Sequence, residues 1–211
     1  MSNIHLHHRS IASIIQLYGV NSHHQPDDGF TTPAQQRLIL RQYRQDTLVK
    51  FCENLGLNRP TFGKTGTGKP ICTNIDTLHF SQSHTKEHYA LVWTNDNSRI
   101  GVDLESLDRK VNFSGMAQRY FSQNEQRYWQ NSPNKVHAWF EIWTAKEAVL
   151  KAHGLGIRLR LAELDTKADK LMQQGMAYHP KIGRWFYQAH ILKECRSMVA
   201  IASGDLAHII L

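Results

Sequence analysis

Two short stretches of the chain carry residue types suited to phosphate chemistry. Gly101-Val102-Asp103-Leu104-Glu105 sets two carboxylates two residues apart. Ile100, Val102 and Leu104 alternate with Gly101, Asp103 and Glu105, which predicts a strand over 99–105 with both carboxylates on one face. Strand geometry then holds their Cβ atoms about 6–7 Å apart. Two oxygens so placed can converge on one hard cation such as Mg²⁺, with waters and a substrate phosphate filling the remaining positions. By itself the pair reads more readily as two solvated acids on a polar strand face.

The second stretch runs from Trp143 to Gly156 and reads as a helix ending at Gly154. Glu147 and Lys151 fall four residues apart on one helical face. An ordinary surface pair of that kind contributes about 0.2–0.5 kcal/mol. Here Trp139 and Trp143 lie on the same row, so the row leads from bulky aromatic side chains into the charged pair, which points to a pocket. Lys146 is one residue off the row and is expected to be less constrained. Ser83 and His84 follow an apolar strand at 78–80, where a histidine can donate to a phosphate or act as a base. A Ser-His-Asp hydrolase is not indicated, because no GxSxG nucleophile elbow exists. Gly63 to Pro70 matches the GxxxxGK of a nucleotide phosphate loop, but Pro70 stands where a magnesium-binding hydroxyl is needed. Neither a core strand before it nor a helix after it is predicted. Lys69 remains a point charge that could hold a phosphate on a glycine-flexible loop.

The elements that must position these residues follow from pattern. Residues 21–32 read as a loop. Thr32-Pro33-Ala34-Gln35 is a helix start, with a capping threonine, proline at N1 and glutamine closing a capping box. Leu38, Ile39, Leu48, Val49, Cys52 and Leu55 are its expected apolar side and Gly56 its end; Arg37, Arg41 and Arg44 share a flank. Residues 57–74 show little pattern. Short strands are predicted at 78–80 and 88–93, helices at 114–130 and 135–153 with a break near Pro133, and strands at 157–161, 184–190 and one or two within 198–211. In the second helix Val136, Trp139, Phe140, Trp143, Val149 and Leu150 form the expected buried side. Gln174-Gly175 and His179-Pro180 mark loops. The irregular mixture favours α+β over a doubly wound α/β fold.

Composition narrows the classes. The chain of 211 residues carries 25 basic and 18 acidic residues, a formal charge of +7, which favours an anionic partner without choosing one. Cys52, Cys72 and Cys195 are scattered and form no CxxC pair, so neither a disulfide framework nor a thiolate zinc site is indicated, and a reducing cytosol is the expected compartment. No run of eighteen apolar residues exists. The stretch 11–20 is interrupted by Ser13, Gln16 and Tyr18, so no signal peptide is expected. The histidines at 5, 7 and 8 read as part of a polar, unstructured terminus.

Taken in order, the pieces resemble a known family. Gly68-Lys69-Pro70 is similar to a GKP motif, Phe80-Ser81-Gln82-Ser83-His84-Thr85 to FNxSHS, and Gly101 to Glu105 to GxDxE. Tyr120-Phe121-Ser122 with Glu125 resembles FFxxxE, and Trp143 to Gly156 resembles WxxKEAxxKxxGxG. These are the motifs of the 4'-phosphopantetheinyl transferases, in their long, two-lobed form acting on carrier proteins of fatty acid, polyketide and nonribosomal peptide synthesis. The resemblance runs from about residue 33 to near the end. Ser81 replaces the usual Asn, Thr85 replaces a Ser, and little organised sequence is expected before Thr32.

The resemblance implies two similar α+β lobes forming a pseudo-dimer in one chain, 1–105 and 106–211, with the active site in the cleft between them. It implies Mg²⁺ held by Asp103, Glu105 and Glu147 with the coenzyme A pyrophosphate, and Lys151 contacting phosphate and aiding transfer. Lys69, Ser83, His84 and Arg44 would bind the 3'-phosphorylated nucleotide end. The reaction implied moves 4'-phosphopantetheine from coenzyme A to a carrier-protein serine and releases adenosine 3',5'-bisphosphate. Glu147 would take the serine proton directly or through a metal-bound water. The expected protein is a cytoplasmic monomer whose partner is an acidic, helical apo acyl or peptidyl carrier protein, with neither nucleic acid nor membrane as partner. The rival readings are a catalytically inactive relative that binds carrier domains, a nucleic-acid-binding protein and a metal-dependent phosphoesterase.

Overall fold

The structure, a computed structural model, describes residues 2–19, 31–154, 159–167, 175–205 and 207–210. The loop expected at 21–30, the start of the strand expected at 157–161, Leu155 and Gly156 of the second motif, and Gln174 lie outside the described residues.

The chain is α+β, and its described residues build two four-stranded sheets that share part of their strand pairing, beside a two-stranded hairpin. The first contains β1 (Ser2–Ser10), β4 (Leu78–His84), β5 (His88–Asn95) and β10 (Ala207–Ile210), ordered β10-β1-β5-β4. The second contains β6 (Ile100–Ser106), β7 (Gly175–His179), β8 (Gly183–Leu192) and β9 (Ser197–Ser203), ordered β6-β9-β8-β7. In each, the opening strand pairs antiparallel with the last strand of its unit, and that strand pairs antiparallel with its predecessor. Each unit also inserts helices after its opening strand. α1 (Ile11–Gly19) and α2 (Pro33–Asn54) follow β1, while α3 (Phe113–Tyr120), α4 (Gln123–Asn131) and α5 (Lys135–His153) follow β6. β6, spanning 100–106, pairs along its length with β9 of the second sheet, and β10 returns to pair in parallel with β1.

Three apolar layers hold this together. α1 and α2 cover one face of β4 and β5 through Ile14, Leu40, Tyr43, Leu48, Phe80, Tyr89 and Leu91. The other face of β1 and β5 meets β6 and β9 through Ile4, Leu6, Val92, Val102, Leu104 and Ile201. α5 covers the outer face of the second sheet with Ala145, Ala148, Val149 and Ala152. Small residues dominate that contact, so the helix lies close to the strands. An added Cβ on Gly101 would stand 2.1 Å from the Ala148 carbonyl oxygen and 2.3 Å from the Ala152 nitrogen. Gly101→Ala is therefore expected to lower stability by about 1–3 kcal/mol or more, since helix backbone rather than a mobile side chain must move. An unchanged urea midpoint would show that α5 does not need this close approach.

Several expectations are corrected. The N-terminus is organised. Ile4 and Leu6 point into the core while His5 stacks on Trp93 at 5.5 Å and the His7 ring meets Tyr43. Alternating histidines concealed a strand whose buried side is apolar. α2 starts on the Thr32–Gln35 capping box as expected, but Leu38 and Leu55 are exposed and Leu40, Tyr43 and Arg44 are buried instead. The helix expected over 114–130 is two helices, because Ser122 and Glu125 form a second capping box that restarts the chain after Phe121. Val136, expected inside, is exposed. Residues 57–74 include a hairpin, β2 (Phe62–Lys64) with β3 (Pro70–Cys72), closed by the Gly-rich loop. The part of 157–161 that is described is not a strand, and 3₁₀ helix begins at Leu161. No described helix is long and apolar enough to cross a membrane.

Candidate active site

β4, β6 and α5 meet where their site residues lie. The Gly101 contact sets α5 against β6, and Asp103 is two residues further along the same strand face. Lys151 reaches it with a 2.7 Å ion pair to Asp103 Oδ1. The same ammonium donates to Ser83 Oγ at 2.8 Å, and Ser83 Oγ donates to Asp103 Oδ1 at 3.0 Å. Three residues from three elements thus form one closed triangle. Ser81, on the same face of β4, accepts from the Val102 N–H at 3.1 Å and so pins β4 to β6.

Asp103 was expected on a solvated polar face; it is buried at 5% exposure, and its Oδ2 has no hydrogen-bond partner. Glu105 is held from two sides. The Trp143 indole N–H donates to its Oε1 at 3.1 Å, and Arg109 forms an ion pair with that oxygen at 2.6 Å. Trp143 is itself stacked on Trp139, with centroids 5.5 Å apart. Glu147 is pushed up to about 7, first by burial and then by the negative charge of Asp103; Lys151 opposes this, Glu105 adds to it and Arg109 opposes. A carboxyl with that proton affinity is poised to exchange a proton near neutral pH.

Ser83, His84, Asp103, Glu105 and Lys151 line one cavity of about 1070 Å³, joined by Lys86, Arg109 and Lys110. His84 stands exposed at its edge, with Nδ1 3.1 Å from the Thr85 carbonyl oxygen. Lys69 lines a different cavity of about 460 Å³ with His79, Arg99 and His153. Its ammonium donates to the Ala152 carbonyl at 3.1 Å, while Thr67 donates to the Gly154 carbonyl at 3.0 Å. The hairpin loop therefore satisfies the open carbonyls at the end of α5, where a cation also suits the helix dipole. Burial, with Arg99 adding to it, pushes Lys69 down to about 8. Arg44 sits on the opposite side of β4 from Ser83, donating to Gln82 at 3.0 Å with its guanidinium over the Phe80 ring.

Among the described residues, no group of three or more His, Cys, Asp or Glu side chains is gathered as a ready cation site. Protein cations occupy the carboxylates instead, Lys151 on Asp103 and Arg109 on Glu105. The donor set still suits a hard ion. It consists of carboxylate oxygens, one of them buried without a partner, with Asp103 and Glu105 close enough to Glu147 to raise its proton affinity.

Two contributions were not visible beforehand. The Trp143 indole N–H orients Glu105, although the Trp143 row had pointed only to bulk. Lys146, expected to be less constrained, is fully buried and paired with fully buried Glu125 at 2.7 Å. Lys146 also donates to the Leu161 carbonyl at 2.7 Å and to the Leu164 carbonyl. Glu125 accepts from Ser122 N, Thr166 N and Thr166 Oγ1 at 2.7–2.8 Å. The signal for this was the appearance of both residues inside quoted motifs, at positions with no surface explanation.

Residues 99–205 match the 4'-phosphopantetheinyl transferase superfamily. Among curated proteins, the chain is 28% identical over 118 residues to 4'-phosphopantetheinyl transferase psf-1 of Bacillus pumilus, covering 55% of this chain and 49% of that one. It is 32% identical over 125 residues to 4'-phosphopantetheinyl transferase gsp of Aneurinibacillus migulanus, covering 57% and 47%. A longer match, 25% identical over 194 residues and covering 82% and 62%, is to L-aminoadipate-semialdehyde dehydrogenase-phosphopantetheinyl transferase of Xenopus laevis. The chain thus spans about half the length of the first two relatives.

Proposed function

Because the chain belongs to the 4'-phosphopantetheinyl transferase superfamily, we propose that it transfers the 4'-phosphopantetheine group of coenzyme A to a serine hydroxyl of an apo carrier protein. The observation that carries this reading is the Lys151–Ser83–Asp103 triangle lining a cavity of about 1070 Å³, with Glu147 within electrostatic reach of Asp103 and Lys151. The serine oxygen bonds to the phosphorus bearing pantetheine, the bond to the bridging oxygen breaks, and adenosine 3',5'-bisphosphate leaves. Asp103, Glu105 and Glu147 would hold Mg²⁺, which supplies charge neutralisation for the pyrophosphate.

The chain's own residues do the rest. Lys151 is a compact ammonium that leaves its carboxylate and hydroxyl partners to stabilise charge developing on the transferring phosphoryl group. Glu147 is the candidate base and takes the serine proton directly or through a water, since the hydroxyl must lose that proton to become a competent nucleophile. Ser83 orients a phosphate oxygen, and His84 donates to the 3'-phosphate from the cavity edge. Lys69 would lend charge to the nucleotide end from its separate cavity. Arg44, bound to Gln82, supports the strand carrying Ser83. A net charge of +7 suits both an anionic donor and an acidic, helical carrier.

The test is direct. The protein is incubated with coenzyme A, Mg²⁺ and an apo acyl or peptidyl carrier protein, and the carrier is weighed. A gain of one phosphopantetheinyl group is expected, and none on a carrier whose acceptor serine is alanine. Unchanged mass over a panel of acyl and peptidyl carriers would overturn the reading.

A further inference from the structure

The cation on Glu105 belongs to the protein, and its attachment is unequal at its two ends. Arg109 lies four residues after Glu105, in a turn closed by the bond from its N–H to the Ser106 carbonyl at 3.1 Å. That turn is anchored to Arg196, just before β9. The Leu107 N–H donates to the Arg196 carbonyl at 2.9 Å, and Asp108 pairs with Arg196 at 2.9 Å. The backbone of Arg109 is thus held, while its side chain is 45% exposed, with solvent beside its long stem. Glu105 is the opposite case. Its side chain is 16% exposed and has a second donor, the Trp143 indole N–H, besides Arg109. Arg109 also faces the same cavity as Ser83, His84 and Lys151.

We propose that Arg109 is a built-in counter-cation of the carboxylate site, competing with a divalent cation for Glu105 and, once displaced, binding a phosphate of the donor within the same cavity. The physical basis is charge balance. Without a metal, Asp103 and Glu105 would stand unneutralised in a partly buried site were Lys151 and Arg109 absent, and like charges so placed repel. When a divalent ion takes Glu105, the guanidinium loses its partner at the moment an anionic ligand enters. A planar fork of N–H donors matches phosphate oxygens. The exchange therefore moves one positive charge from a carboxylate to the ligand without moving the backbone.

This inference rests on the reading of Asp103 and Glu105 as metal ligands, and the experiment separates the two. Mn²⁺ binding to the intact protein, without coenzyme A, is measured by the electron paramagnetic resonance signal of free Mn²⁺. Coenzyme A binding is then measured at saturating Mn²⁺. Arg109→Gln is expected to bind Mn²⁺ about two- to five-fold more tightly, the fold-change equivalent of a partly exposed ion pair. The same variant should bind coenzyme A more weakly, with Arg109→Lys between it and the unaltered protein. The opposite signs exclude a merely structural role, which would weaken both or neither. Equal or weaker Mn²⁺ binding by Arg109→Gln, or undiminished coenzyme A binding, would overturn the proposal. Failure of the underlying reading shows differently: Mn²⁺ affinity would then be indifferent to Asp103→Asn and Glu105→Gln.

Discussion

Lys151→Ala is expected to give a folded protein whose turnover falls by about 10²-fold or more, at roughly 1.4 kcal/mol per tenfold. The side chain is one-third exposed, so its removal leaves no large void. What it does leave is Asp103, buried and without its counter-cation, which predicts a modest loss of stability beside the large loss of rate. A simple surface salt bridge would show the reverse, a few tenths of a kcal/mol in stability and no change in turnover. Lys151→Arg tests geometry, because a planar guanidinium cannot replace an ammonium that contacts a hydroxyl and a carboxylate at 2.8 and 2.7 Å. The measurement is kcat at saturating coenzyme A and carrier, with a thermal melt for each variant. Near-normal turnover of the alanine variant would remove Lys151 from the chemistry.

The largest loss of stability is expected from Glu125→Ala, about 3–5 kcal/mol, the usual cost of stripping one partner from a buried ion pair. Lys146 and Glu125 are both fully buried. Without the carboxylate, a buried ammonium keeps only backbone carbonyls as partners, and three donors from Ser122 and Thr166 lose their acceptor. Removing the charge from the other side should be milder. Lys146→Met fills nearly the same volume, and Glu125 retains those three hydrogen bonds. The expected order of urea midpoints is therefore unaltered protein, Lys146→Met, Glu125→Ala. The pair ties the start of α4 and the segment at 161–167 to the turn of α5 that also carries Glu147, so activity per folded molecule should fall in Glu125→Ala as well. A midpoint for Glu125→Ala within experimental error of the unaltered protein would show that water or another group takes over.

Local geometry was legible in the sequence, because strand and helix periods act over a few residues. The common face of Asp103 and Glu105, the Glu147–Lys151 row, the Thr32 cap and the Gly154 stop needed only spacing and residue type. The motif order was legible too, since it is a property of the string. Where alternation was masked, as by the histidines of β1, local reading failed; the partners that bury Ile4 and Leu6 lie on β5, β6 and β9, remote in sequence. A helix break inside a favourable pattern, at Ser122, was hidden for a related reason. Its capping box is local, but its value depends on Glu125 finding Lys146 and Thr166.

Only tertiary structure decided which charge meets which. Lys151 joins Asp103 and Ser83 across 48 and 68 residues of sequence. Lys69 ends up against the end of α5 and lines a separate cavity from Ser83 and His84. Arg44 turns inward behind β4, although it shares a helical flank with the exposed Arg37 and Arg41. Spacing along a helix or strand settles which side chains share a face; what that face meets is settled by packing two sheets and two helical layers around a glycine at position 101, and no local period encodes that.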